Sequence, residues 1–274
     1  MHMNKLECSL VQLLKQMKKD YSVVMLKAEF ETEASRMNEL MRLKEIAQES
    51  DVGLVIKIGG PEALSNLYEA MHLGVSGIVA PMVETPYAAR KFLQALDKHI
   101  TPEEKESIEF GINVETKTAH QNLDAIYAEK GINKLKNIVL GRVDMSGSLD
   151  LGRDKINGEE MYAVCEDIFT KSKAKGFRCC MGGGISTDSI DFIQRLAKKG
   201  ILDRYETRKV VFENPKSDRL ELHDGILKAV EFELLWLQLK KEYYGRIFKE
   251  DDVRIEMLQK RLRNEVTNID KLCG

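Results

Sequence analysis

Short apolar strands alternate with amphipathic helices along most of this chain, and that alternation is the strongest constraint on its fold. Residues 21–31 read as a strand whose end turns polar, followed by a helical stripe of Met37, Leu40, Met41, Leu43 and Ile46. Residues 53–58 form the second predicted strand. Gly59-Gly60-Pro61 then opens a helix through Leu64, Leu67 and Met71, with proline placed where a missing N–H does least harm. Strands at 75–80, 108–114, 137–140 and 177–181 continue the series, with helices at 85–99, 117–129, 158–175 and 187–198 and a long loop at 144–157. Residues 206–212 read as the seventh strand, and a helix over 5–19 precedes the first.

Seven strands covered by helices point to an α/β fold, a parallel barrel of the TIM (β/α)8 type. No eighth strand is visible, so an open doubly wound sheet remains as the alternative. Residues 1–217 are read as the barrel domain with its N-terminal helix, and 218–274 as a helical extension. The extension carries a stripe of Leu227, Val230, Leu234, Leu237 and Tyr244, then Ile255, Leu258, Leu262, Val266 and Ile269, with an interruption expected near Gly245 and 248–251. Its first part is expected to cover the barrel. Its second part is expected to pack on a neighbouring subunit of a homo-oligomer or back on its own chain.

A length of 274 residues with 43% hydrophobic content suits one large domain plus this extension. A net charge of −2 with interspersed signs leaves no basic footprint for nucleic acid. No apolar run reaches the length of a membrane span, and the N-terminus lacks a signal-peptide core. The cysteines (Cys8, Cys165, Cys179, Cys180 and Cys273) are odd in number and unevenly spaced, which fits reduced thiols and a cytoplasmic location.

Two carboxylates, Glu115 and Asp144, stand where apolar strands run out. Acids at the C-terminal ends of barrel strands face a shared mouth, and two together can hold a hard cation such as Mg²⁺ or Mn²⁺. Taken singly, Glu115 also suits a helix N-terminus. Lys27 and Lys57 end apolar strands too. A lysine in such surroundings can have a lowered pKa and act as a base or Schiff-base nucleophile, although Lys57 is better read as a clamp on a substrate carboxylate. Glu29 and Glu31 share a face of the first strand, where one could reach the metal through water or serve as a general base tuned by burial, with surface or capping roles as the plain reading. Gly182, Gly183 and Gly184 offer bare backbone N–H groups for an anion or simply a tight turn. Arg142 and Arg208 are further anion-binding candidates, with surface salt bridges as their default reading.

Three segments then carry a family resemblance. Ile78-Val-Ala-Pro81-Met82-Val83-Glu84-Thr85, Val114-Glu115-Thr116 with Ala119, and Gly141-Arg-Val-Asp144-Met145-Ser146 resemble, in order and spacing, the HpcH/HpaI aldolase and citrate lyase beta-subunit superfamily over about residues 20–200. The resemblance implies a barrel of the phosphoenolpyruvate/pyruvate class in which Glu115 and Asp144 bind Mg²⁺ or Mn²⁺. It implies that the metal stabilises the enolate of a pyruvate-like 2-oxo acid while a C–C bond forms or breaks. The expected partner is a small anion, a 2-oxo acid or a phosphorylated aldehyde. Three departures stand out. Lys57 replaces the family's substrate-binding arginine, Lys27-Ala28-Glu29-Phe30 lacks its histidine, and the tail from 218 has no counterpart in the aldolase branch. Coenzyme A use is disfavoured, since no basic cluster for it is seen. Two alternatives stay open: a metal-enolate hydrolase or transferase acting on a phosphoenolpyruvate-like compound, and a catalytically silent barrel serving as an assembly module.

Overall fold

In the computed structural model the chain forms a closed barrel of eight strands with helices outside. The structure describes residues 3–213, 215 and 218–273, with side chains as far as 263. The strands are β1 (Val23–Glu29), β2 (Gly53–Lys57), β3 (Gly77–Ala80), β4 (Glu109–Asn113), β5 (Asn137–Gly141), β6 (Arg178–Gly182), β7 (Arg204–Glu206) and β8 (Val210–Glu213). The helices are α1 (Lys5–Tyr21), α2 (Met37–Glu49), α3 (Leu64–Leu73), α4 (Pro86–His99), α5 (Pro102–Ser107), α6 (Lys117–Gln121), α7 (Leu123–Tyr127), α8 (Arg142–Ser148), α9 (Glu159–Ala174), α10 (Ile190–Lys198) and α11 (Arg219–Cys273).

Local chemistry sets the helix starts. Asn4 and Glu7 close a capping box at α1. Thr85 accepts from the Ala88 N–H while Pro86 occupies the first turn of α4. Helix α1 buries Leu10, Leu13, Leu14 and Met17 and packs against α2 and β1.

Strands β1 through β7 pair in parallel, as expected. The predicted seventh strand is in fact two. Thr207 N–H bonds the Val210 carbonyl at 2.9 Å, and Val210 N–H bonds Thr207 Oγ1 at 3.2 Å. This turn reverses the chain, so β8 runs antiparallel to both β7 and β1 and closes the barrel. The open-sheet alternative is thereby excluded. Two other expectations are corrected. The region read as loop 144–157 begins inside α8, so Asp144 lies in a first helical turn and not at a strand tip. Helix α11 also runs unbroken through Gly245 and 248–251.

The chain falls into two compact units, Met1–Glu233 and Leu234–Gly274. Within the first unit, α11 buries Leu222, Ile226, Ala229 and Phe232. Gly225 lets it approach Tyr21 and Phe212, where an added Cβ would meet carbons at 3.2 and 3.3 Å.

Side chains inside the barrel form levels along its axis. At the N-terminal end, Arg204 bonds Glu109 at 2.7 Å and Glu213 at 2.9 Å, and Arg178 bonds Glu109 at 2.5 Å. Above them Val79, Val139 and Cys180 form an apolar plug with Val55. The plug separates this ion-pair cluster from the C-terminal mouth, the end at which barrel enzymes place their chemistry.

Candidate active site at the barrel mouth

Glu115 is the centre of the mouth. It lies two residues past the end of β4, is 1% exposed, and is held from three sides. Met82 N–H donates to its Oε1 at 3.0 Å, and Asn113 Nδ2 donates to its Oε2 at 2.8 Å. Gly141 supplies the space: a Cβ there would stand 2.6 Å from Glu115 Oε2. Met82 adopts a left-handed φ of 51°, a conformation that non-glycine residues rarely adopt and that aims its N–H at the carboxylate. The three segments that carried the resemblance therefore meet around one carboxyl group. Burial pushes the Glu115 carboxyl above its ordinary value, overcoming the Met82 N–H, the Lys57 charge and the Asn113 amide, and the nearby Asp144 charge adds to the rise. Asp144 itself is exposed.

Beside this centre runs a row of alternating charges. Lys27 Nζ sits 2.5 Å from Glu206 Oε1 and 3.0 Å from Glu29 Oε1. Lys57 Nζ sits 3.4 Å from Glu29 Oε2 and 2.9 Å from Glu31 Oε2. Glu29 and Lys57 are register partners on β1 and β2, so the backbone ladder fixes their contact. Burial alone would lower both lysine pKa values, but the carboxylates reverse this and hold both ammonium groups above the ordinary lysine value. The expected lowered pKa, and with it a neutral amine for Schiff-base chemistry, is not found. Glu29 is corrected in the same way. Burial would raise it, yet Lys27 and Lys57 pull it below the ordinary carboxylate value, opposite to what a tuned general base needs.

Arg142 is also corrected. It is fully buried, and all five of its N–H donors are taken: Nε by Gly182 O, Nη1 by Ile156 O and Asn157 Oδ1, Nη2 by Gly183 O and Ser189 Oγ. No donor is left for a substrate. Its role is to tie the end of β6 to α8 and to the segment that follows it. Desolvation in this carbonyl cage lowers its pKa to about 10.

The three glycines lie in that same junction. Gly183 has a φ of 77°, and a Cβ there would stand 2.5 Å from Arg142 N. Gly184 has a φ of 67°, and a Cβ on Gly182 would meet Glu206 Oε1 at 2.9 Å. Close packing accounts for all three. Arg208 lies half-exposed in the β7–β8 turn, 3.8 Å from both Glu33 and Glu233.

Three participants were not picked out from the sequence: Glu206, Asn113 and the Met82 backbone N–H. Glu206 ends a strand with an inward acid, the same signal that marked Glu29. Asn113 shares a strand face with Glu115, two residues away. Among the described residues no group of three or more His, Cys, Asp or Glu gathers as a metal cage, so any ion held here would rest on few protein ligands.

A closed (β/α) barrel with a row of buried charges at its C-terminal mouth is the architecture on which barrel enzymes are built. Comparison with protein families narrows the class: the HpcH/HpaI aldolase/citrate lyase family matches residues 22–193, and the chain belongs to that family. Solved structures agree on the fold. The HpcH/HpaI aldolase from Desulfitobacterium hafniense DCB-2 superposes with a TM-score of 0.57 at 15% identity, covering 70% of this chain and 88% of its own. The citrate synthase SbnG gives 0.59 at 16% identity, covering 85% and 90%. An HpcH/HpaI aldolase/citrate lyase family protein from Burkholderia cenocepacia J2315 gives 0.56 at 13% identity, covering 72% and 92%. No curated protein matches the sequence. Among the described residues no helix is long and apolar enough to cross a membrane.

Proposed function

We propose that this chain makes or breaks a carbon–carbon bond beside the carbonyl of a pyruvate-like 2-oxo acid, assisted by Mg²⁺ or Mn²⁺ held by Glu115 and Asp144. The observation that carries the reading is the arrangement around Glu115, where Met82, Asn113 and Gly141 orient one buried carboxylate within the field of a second, exposed one. The donor chemistry fits a hard cation. Mg²⁺ commonly takes one or two carboxylates and leaves its other positions to water and substrate. At the mouth Glu29, Glu31, Glu33, Glu115, Asp144 and Glu206 outnumber Lys27, Lys57, Arg208 and Lys209, which leaves a net negative charge to attract a cation. When bound, the cation would supply a Lewis acid for negative charge developing on the substrate's carbonyl oxygen.

The chain's own residues would do the rest. Lys57, kept as an ammonium by Glu31 and Glu29, is the group to face the substrate carboxylate. Lys27 keeps its proton between Glu206 and Glu29 and supports the field of the mouth instead of forming a covalent adduct. Glu29 positions both lysines. The substrate class is a small anion.

A second reading, a silent barrel, is favoured by one observation: both inner ammonium groups are already engaged by carboxylates. One experiment separates the two. Mn²⁺ with oxalate, a mimic of the pyruvate enolate, at about 100 times Kd adds about 2.7 kcal/mol of stability. For a domain of this size that raises the melting temperature by about 5–10 °C. Glu115→Gln and Asp144→Asn should each abolish the rise. An unchanged wild-type melting temperature would reject the metal-dependent reading and favour the silent barrel.

A further inference from the structure

The second unit carries a feature that the barrel chemistry does not use. From Leu234 onward, α11 carries a seam of positions at alternating spacings of three and four, apolar at Leu234, Leu237, Tyr244, Phe248, Ile255, Leu258 and Leu262. Leu234, Leu237, Phe248, Ile255, Leu258 and Leu262 are all exposed. Two polar residues interrupt this seam, Lys241 and Asp251, both also exposed.

The interruptions are not random. Lys241 and Asp251 carry opposite charge and lie five residues to either side of Arg246. Every other seam position from Leu234 to Leu258 is mirrored about the same point: Tyr244 with Phe248, Leu237 with Ile255, Leu234 with Leu258. A helix with this symmetry is complementary to itself when a second copy is laid alongside in the opposite direction. Each Lys241 then meets an Asp251, and each apolar residue meets an apolar one. A parallel pair would set Lys241 against Lys241 and Asp251 against Asp251, which is unfavourable for seam positions removed from water.

Gly245 is a separate observation pointing the same way. Glycine in a helix interior destabilises it relative to alanine. Nothing among the described residues demands it, since a Cβ at Gly245 would meet no described atom within 4 Å. In the antiparallel arrangement Gly245 lies beside the two-fold axis, where it meets its own copy and lets the backbones approach. The exposed Ile247 meets its own copy on the other side of the axis. Lys240 and Arg254 face each other as like charges at the rim, where solvent screens them.

We propose that the segment from Leu234 to Leu262 pairs with the same segment of a second copy of this chain as an antiparallel coiled coil centred on Arg246. The interface is isologous, so it closes as a dimer.

The test uses the full chain with Cys8 and Cys273 replaced by serine, and reads disulfide cross-linking under mild oxidation. Leu237 and Ile255 are 18 residues apart, about 27 Å along one helix, so cysteines there cannot join within a chain. Leu237→Cys/Ile255→Cys should form a covalent dimer, and neither single variant should. Cross-linking of Leu237→Cys alone would indicate a parallel pair and overturn the proposal, as would a chain that stays monomeric at tens of micromolar. A second measurement reads the charge pair. Lys241→Asp should weaken association about tenfold or more, and Lys241→Asp/Asp251→Lys should restore it. Equal association by all three proteins would overturn the assigned register.

Discussion

Glu206→Gln tests whether the alternating charges of the mouth form a coupled buried unit. The substitution keeps shape and removes one charge beside Lys27, whose side chain is 14% exposed against 8% for Glu206. Removing one partner of a buried ion pair costs about 3–5 kcal/mol, because the remaining charge is left without compensation. Here Glu29 stays at 3.0 Å from Lys27, which sets the expectation near the lower end, about 3 kcal/mol, or about 6–12 °C in melting temperature. A cycle with Lys27→Met should show a coupling of about 2 kcal/mol. Replacing both partners with apolar residues, Lys27→Met/Glu206→Leu, should fall within about 1 kcal/mol of wild type. The pH dependence has a definite sign. The folded pKa of Lys27 lies above the ordinary 10.5, so the pair's contribution is complete below that pH and is lost as pH rises through the folded value. The gap between wild type and Glu206→Gln should therefore narrow only in strongly alkaline solution. Urea titrations at neutral and alkaline pH supply the measurement. A coupling below about 0.5 kcal/mol, or a gap that closes near neutrality, would refute the reasoning.

Two further outcomes are expected. Gly141→Ala, whose methyl would stand 2.6 Å from Glu115 Oε2, should cost about 1–3 kcal/mol by overpacking and remove the stabilisation by Mn²⁺ with oxalate, as melting curves with and without the ion would register. The raised Glu115 pKa means that the metal-free protein holds this proton more tightly than the unfolded chain does, so ionising Glu115 lowers stability as pH rises from the ordinary 4.5 through the folded value. Over that window Mn²⁺ binding should release a proton and strengthen with pH. Calorimetry in two buffers of different ionisation enthalpy would detect the released proton, and Glu115→Gln should lose it.

Much of the fold was legible because period-two and period-3.6 patterns alternate cleanly from residue 21 to residue 198. The eighth strand was not, because Thr207-Arg208-Lys209 contains none of the Gly, Asn or Pro that mark tight turns, and its reversal rests on a threonine side chain. Gly245 read as a break because glycine weakens helices on average, yet α11 continues through it. At the mouth, the place of Glu115 was legible from the apolar run before it, whereas Asp144, expected at a strand tip, lies in the first turn of α8. The state of Lys27 was not legible. Burial alone would lower its pKa, and the rise depends on Glu206, 179 residues away, together with Glu29, so no local pattern carries it. Arg142 misled for the same reason: its cage is built from backbone carbonyls of Ile156, Gly182 and Gly183, which leave no compositional trace.

Closing the barrel with an antiparallel hairpin has a geometric result for the rim. Seven strands deliver their chain to the mouth, and the eighth leads away from it, so one sector of the wall is only the three residues Thr207, Arg208 and Lys209. That sector is a tight turn with no helix after it. Lengthening it would alter what the cavity admits without moving any helix, which makes the hairpin tip the natural place to graft a new substrate preference.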